Sequence, residues 1–161
     1  MGGSAICIGQ AVRGTECKVV SVEPRYLDFK LLRDKKSILP ENELHISEFS
    51  GDTNPYIEQY ELSISAAGLK NTCSYFAGFS DDYYQVFDKR QIDMLFVDGA
   101  HTYDAVKLDC RFMDYIPVGG FAVFDDWIIS VKKAVDEYMQ KAGTKWELMD
   151  QVFPRWFKRV A

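Results

Sequence analysis

The chain has 161 residues, 47% apolar and 27% charged, which suits one domain-sized core and excludes intrinsic disorder. Nineteen Lys and Arg against 24 Asp and Glu leave a net charge of -5 with no long block of either sign, so a basic nucleic-acid surface is not expected. No apolar run approaches the roughly 18 residues of a membrane span and no secretory leader is recognisable, so a soluble, cytoplasmic protein is expected.

No repeat, low-complexity tract or linker divides the chain, and a single domain over residues 1–161 is expected. Gly2 and Gly3 precede a helix expected over residues 5–12 and ended by Gly14. Residues 18–22 form a β-rich run that stops at Glu23-Pro24. A helix is expected over 56–67, then strands over 72–77, ended by Gly78, and over 92–97. From 103 to 116 the pattern is that of an amphipathic helix. Asp104, Lys107, Arg111 and Asp114 take one face, and Ala105, Val106, Cys110, Phe112, Met113 and Ile116 the other, before Pro117 and Gly119-Gly120 end it. A fourth strand over 121–124 and a helix over 131–141 follow, and residues 145–152 and 155–160 read as a hairpin-like pair around Phe153-Pro154. Runs apolar on both faces suit buried parallel strands under helices, so the expected fold is an α/β sheet, mostly parallel, with an antiparallel end.

Cys7, Cys17, Cys73 and Cys110 form no CxxC pair and read as reduced, buried thiols. The two histidines, His45 and His101, exclude a His-rich metal site, so any metal must rest on carboxylates. Strand, helix and strand from 92 to 124 place Asp98, Asp125 and Asp126 on one sheet edge, where clustered carboxylates repel unless protons or a cation intervene. Oxygen-only ligands favour Mg²⁺, Ca²⁺ or Mn²⁺. The alternative is that Asp98 and Asp126 cap the helices that follow, a common role for Asp. His101, three residues beyond Asp98, is either a loop side chain or a general base for a hydroxyl. Asp109 falls near the apolar side of the 103–116 helix and suits a structural hydrogen bond, and His45 is given no role. Glu23 ends the second expected element about 20 residues beyond Gly2-Gly3, the place where nucleotide-type α/β folds hold ribose hydroxyls; a merely structural acid is the alternative.

Taken together, residues 92–109, 117–127 and 131–138 resemble the class I S-adenosylmethionine-dependent methyltransferases, in particular methyltransferase family 24, which is related to macrolide-sugar and catechol O-methyltransferases. The resemblance implies a Rossmann-like, mostly parallel sheet with helices on both faces and an antiparallel C-terminal strand. It likens Gly2, Gly3 and Ser4 to the end of the family's glycine loop, Glu23 to its ribose-binding acid, and Gly78 to Asp81, including Ser80, to its loop beside adenine. It makes Asp98, Asp125 and Asp126 divalent-metal ligands, His101 the base, and Asp98 its catalytic companion facing the cofactor. The family's first strand and part of its glycine loop have no counterpart, so an N-terminally truncated methyltransferase-like domain is expected. The implied cofactors are S-adenosylmethionine and Mg²⁺ (or Ca²⁺ or Mn²⁺), and the implied reaction is metal-assisted O-methylation of a small hydroxylated acceptor of sugar or natural-product type. The alternative function is a non-catalytic, methyltransferase-like binding or assembly module. The expected partner is a small-molecule acceptor, with a homo-oligomer as a further option and neither nucleic acid nor membrane.

Overall fold

The computed structural model describes residues 2–24, 55–141, 143–150 and 154–161. His45 and the tail residues 151 and 152 lie outside them. The chain divides into two compact units, Met1–Tyr83 and Tyr84–Ala161.

The first unit holds α1 (Gly3–Ala11), β1 (Val19–Glu23), α2 (Pro55–Ala66) and β2 (Cys73–Ala77), and α3 (Ser80–Val86) spans its boundary. α2 starts on a proline, whose fixed φ and missing N–H suit a first helical turn. Its end is set by Gly68 at φ +69°, where Gly68 N–H donates to Ser65 O and Leu69 N–H to Ile64 O. This double bond pattern needs a left-handed residue that only glycine adopts cheaply, and it brings Leu69 back onto Ile64. Those two side chains, with Ala5, Tyr60 and Cys73, form a buried core. β1 and β2 run parallel, Val19 opposite Cys73 and Glu23 opposite Ala77.

The second unit holds β3 (Met94–Val97), α4 (Tyr103–Asp109), a 3-10 segment (Cys110–Tyr115), β4 (Phe121–Phe124), α5 (Ile129–Lys141), β5 (Trp146–Asp150) and β6 (Arg155–Arg159). Its sheet has the order β3-β4-β6-β5, with β3 and β4 parallel and β6 antiparallel to both β4 and β5. Val97, Val106, Cys110, Met113, Ile116, Phe124, Val131, Val135 and Phe157 close the core beneath it.

The expected α/β fold is present, including the parallel pairs and the antiparallel end; among the described residues the strands form one two-stranded and one four-stranded sheet. The helix over 103–116 changes winding at Cys110. In a 3-10 turn residues three apart eclipse, and here Phe112 and Tyr115 both meet the rings of Tyr84 and Phe87. The expectation of strands buried on both faces holds for β4 alone; Val20 in β1 is exposed. Likewise Cys73 and Cys110 are buried, whereas Cys7 and Cys17 are exposed and all four are free thiols. Burial pushes the Cys110 thiol up to about 12, with the charge of Asp109 adding to it. Among the described residues no helix is long and apolar enough to cross a membrane.

Candidate active site

Gly2, Gly3, Ser4, Glu23, Gly78 and Ser80 lie in the first unit, and Asp98, His101, Asp125 and Asp126 in the second. In the first, Gly2 precedes α1 at φ +77° and no side chain caps the helix. The first-turn N–H groups and the helix dipole therefore favour an anionic group there, such as a carboxylate. A Cβ on Gly2 would come within 3.1 Å of the Tyr60 ring, a tight contact, and the positive φ favours glycine there. Gly3 and Ser4 form the exposed start of α1. Glu23 is the last residue of β1, and its carbonyl accepts a hydrogen bond from Gly78 N–H at 3.3 Å. The parallel register thus sets Glu23 beside the turn that leaves β2.

That turn is not the loop expected from the sequence, because Ser80 and Asp81 already belong to α3. Asp82 Oδ2 accepts from Phe79 N–H at 3.3 Å, and Tyr83 N–H donates to Phe79 O at 3.0 Å, so α3 is capped from within its own first turn. The signal was the Asp81-Asp82 pair, placed where acids favour a helix start.

In the second unit β3 and β4 end level, with Val97 opposite Phe124. Asp125 N–H donates to Val97 O at 3.0 Å, which carries the ladder one step further and leaves Asp98 beside Asp125. Residues level on parallel strands face the same way, so the two carboxyls lie close enough to interact. Partial burial of the carboxyl, followed by the charge and proximity of the Asp125 carboxyl, raises Asp98 above the usual carboxylate range; Asp126 adds to the rise and His101 opposes it. His101 Nε2 stands 3.3 Å from Asp126 Oδ2, with one third of the imidazole side chain still open to solvent. The structure therefore brings all four sequence-predicted residues to one edge.

Capping does not explain Asp98 or Asp126. Thr102 caps α4, its Oγ1 accepting from Ala105 N–H at 3.3 Å, while α5 begins at Ile129, three residues beyond Asp126. Sequence reasoning missed Ser130, whose Oγ donates to the His101 carbonyl at 2.6 Å and ties the 98–102 loop to the start of α5. Asp109 carboxylate lies 4.0 Å from where a Cβ on Gly99 would sit, beneath the same loop.

The donor set at this edge is carboxylate oxygen, the chemistry of Mg²⁺, Ca²⁺ and Mn²⁺, and crowded like charges are what a divalent cation relieves. Among the described residues no group of three or more His, Cys, Asp or Glu is placed so that it could hold a metal ion.

A parallel α/β sheet with an antiparallel C-terminal strand is the arrangement of the class I S-adenosylmethionine-dependent methyltransferases, and the family match places the chain in that class. Residues 1–127 match the family model described as a methyltransferase domain, and the chain belongs to this family, methyltransferase family 24. No curated protein matches the sequence. Among solved structures, the O-methyltransferase NovP is similar at a TM-score of 0.70 and 18% identity, over 99% of this chain and 68% of that one. CalS11, a TDP-rhamnose 3'-O-methyltransferase of calicheamicin biosynthesis, gives a TM-score of 0.53 at 13% identity, over 96% of this chain and 79% of that one. The O-methyltransferase TomG from Streptomyces achromogenes, solved with S-adenosylmethionine, gives 0.50 at 12% identity, over 100% of this chain and 81% of that one. At these identities the likeness is one of fold.

Proposed function

We propose that this chain transfers a methyl group from S-adenosylmethionine to a hydroxyl oxygen of a small acceptor, with a divalent cation held by Asp98, Asp125 and Asp126. The observation that carries the reading is the meeting of Asp98 with Asp125, and of His101 with Asp126, at the level ends of β3 and β4. When bound, S-adenosylmethionine supplies an electrophilic methyl and the cation lowers the pKa of a coordinated hydroxyl. The chain's own residues do the rest. His101 Nε2 stands 3.3 Å from Asp126 Oδ2 without a hydrogen bond between them, and an unprotonated ring nitrogen of His101 takes the acceptor proton. Asp126 then steadies the imidazolium, and Ser130 holds the loop in place through the His101 carbonyl. In the first unit, the start of α1 receives the cofactor's carboxylate, Glu23 its ribose hydroxyls, and Gly78 and Ser80 line the adenine side.

Calorimetry with S-adenosylmethionine tests the reading. Glu23→Ala is expected to weaken binding by about 1.5–3 kcal/mol, the range for a hydrogen bond to a charged group. Unchanged affinity in that variant removes Glu23 from the site. A wild-type chain that binds no S-adenosylmethionine leaves a methyltransferase-like binding module as the reading.

A further inference from the structure

α5 carries a polar stripe that reaches the start of α4. Ser130 and Glu137 are seven residues apart on it, two helical turns along one face and about 10 Å along the axis. Each makes a hydrogen bond to the segment that carries His101. Ser130 Oγ donates to the His101 carbonyl, and the Tyr103 hydroxyl donates to Glu137 Oε2, both at 2.6 Å. Between the two contacts lies Thr102, whose own hydroxyl caps α4. On its other side α5 is fixed. Val131, Ala134 and Val135 are buried in the same core as Phe124, the residue before Asp125, so the helix is tied to the strand that bears the acids.

The imidazole needs such support. His101 Nε2 is closed to solvent and has no hydrogen bond, and the Asp126 side chain 3.3 Å away is 58% exposed. With no bond at Nε2 to fix the ring, its place follows its backbone. One anchor, at the carbonyl, sets where the loop lies and leaves it free to pivot; a second anchor two residues on sets its direction. The second anchor is itself well held. Lys133 Nζ is 4.9 Å and Lys107 Nζ 5.5 Å from the centre of the Tyr103 ring. The hydrogen bond from Tyr103, then the charges of Lys133, Lys141 and Lys107, hold Glu137 below its usual range, so it stays a carboxylate that can only accept.

We propose that Glu137 is a positioning residue for His101: by accepting the Tyr103 hydroxyl it fixes the direction of the segment that Ser130 fixes in place, and so keeps the imidazole beside Asp126. The inference rests on the reading of His101 as the base, and it gives α5 the task of holding that base and the acids in one frame. The demand is strict, because misplacing a reacting group by about 1 Å costs on the order of 10²-fold in rate. A bond that merely joined α4 to α5 would stabilise the fold without moving the ring.

The test reads the ring directly by NMR of the full chain with isotope-labelled histidine. Two histidines give two sets of imidazole signals, and His101→Ala identifies the one concerned. Glu137→Ala and Tyr103→Phe are each expected to shift the His101 signal, and the double variant to shift it no further than the larger single one. Glu137→Gln keeps an oxygen acceptor for the Tyr103 hydroxyl and is expected to retain the wild-type signal. Lys132→Ala breaks the ion pair between Lys132 and Asp136 on the same helix and is expected to leave the ring unmoved. A His101 signal that is unchanged in Glu137→Ala, moved as far by Lys132→Ala, or not restored in Glu137→Gln overturns the inference. Calorimetry with S-adenosylmethionine on the wild type separates the two failures. A chain that binds the cofactor while its ring ignores Glu137 loses only the positioning role. A chain whose ring follows Glu137 but which binds no cofactor keeps that role and loses the methyl-transfer reading.

Discussion

At the end of β1, Glu23 stands beside Gly78 because β1 and β2 run parallel and end level; at the end of β3, Asp98 stands beside Asp125 for the same reason. The backbone device is identical and the consequences differ. In the first unit Glu23 is level with Ala77 and its carbonyl takes the Gly78 N–H, so no second acid stands level with its carboxylate. In the second, Asp98 and Asp125 follow the level strand ends together, with a third acid and a histidine within reach, and burial with the like charges raises Asp98. The first edge thus carries a single acid, and the second concentrates three acids and a histidine.

Three substitutions sharpen this contrast. The largest effect is expected at His101: with any acceptor the chain methylates, His101→Ala should lower kcat by about 10²- to 10⁴-fold while cofactor affinity stays within twofold, as for loss of a general base. Near-wild-type turnover when chemistry is rate-limiting would assign proton removal elsewhere. Next comes Phe124→Ala, at a fully buried residue directly before Asp125, which should cost about 3–5 kcal/mol in urea denaturation. A cost under about 1 kcal/mol would mean that the support of the acid edge repacks freely, against the close packing expected of a core. The smallest is Thr102→Ala, which should cost about 1 kcal/mol through the lost cap of α4. No loss of stability would show that the cap is not what fixes the end of the His101 loop.

Legibility in the sequence followed the same divide. Strands 72–77, 92–97 and 121–124 could be placed within one or two residues because each is a short apolar run closed by Gly, Asp or both. The acid edge was then readable, since level parallel strands force their following residues together. α3 was not, because seven residues are too few for a helical period and its cap is a local Asp82 contact. The winding change at Cys110 was hidden as well: an α-helical and a 3-10 reading bury the same Cys110, Phe112 and Met113, and only the rings of Tyr84 and Phe87 select between them. Ser130 escaped notice because its partner is a backbone carbonyl 29 residues earlier, which side-chain spacing cannot reveal. The grouping of the described strands into a two-stranded and a four-stranded sheet likewise depends on long-range pairing.

The central claim, that the crowded acids at the ends of β3 and β4 hold a divalent cation, is tested most directly by the melting temperature with and without Mg²⁺. At a hundredfold excess over Kd a bound cation stabilises by about 2.7 kcal/mol, a rise of roughly 5–10 °C for a chain of this size. The account predicts that rise in the wild type at millimolar Mg²⁺ and its loss in Asp125→Asn. No rise with Mg²⁺, Ca²⁺ or Mn²⁺ in the wild type, or an equal rise in the variant, would contradict it.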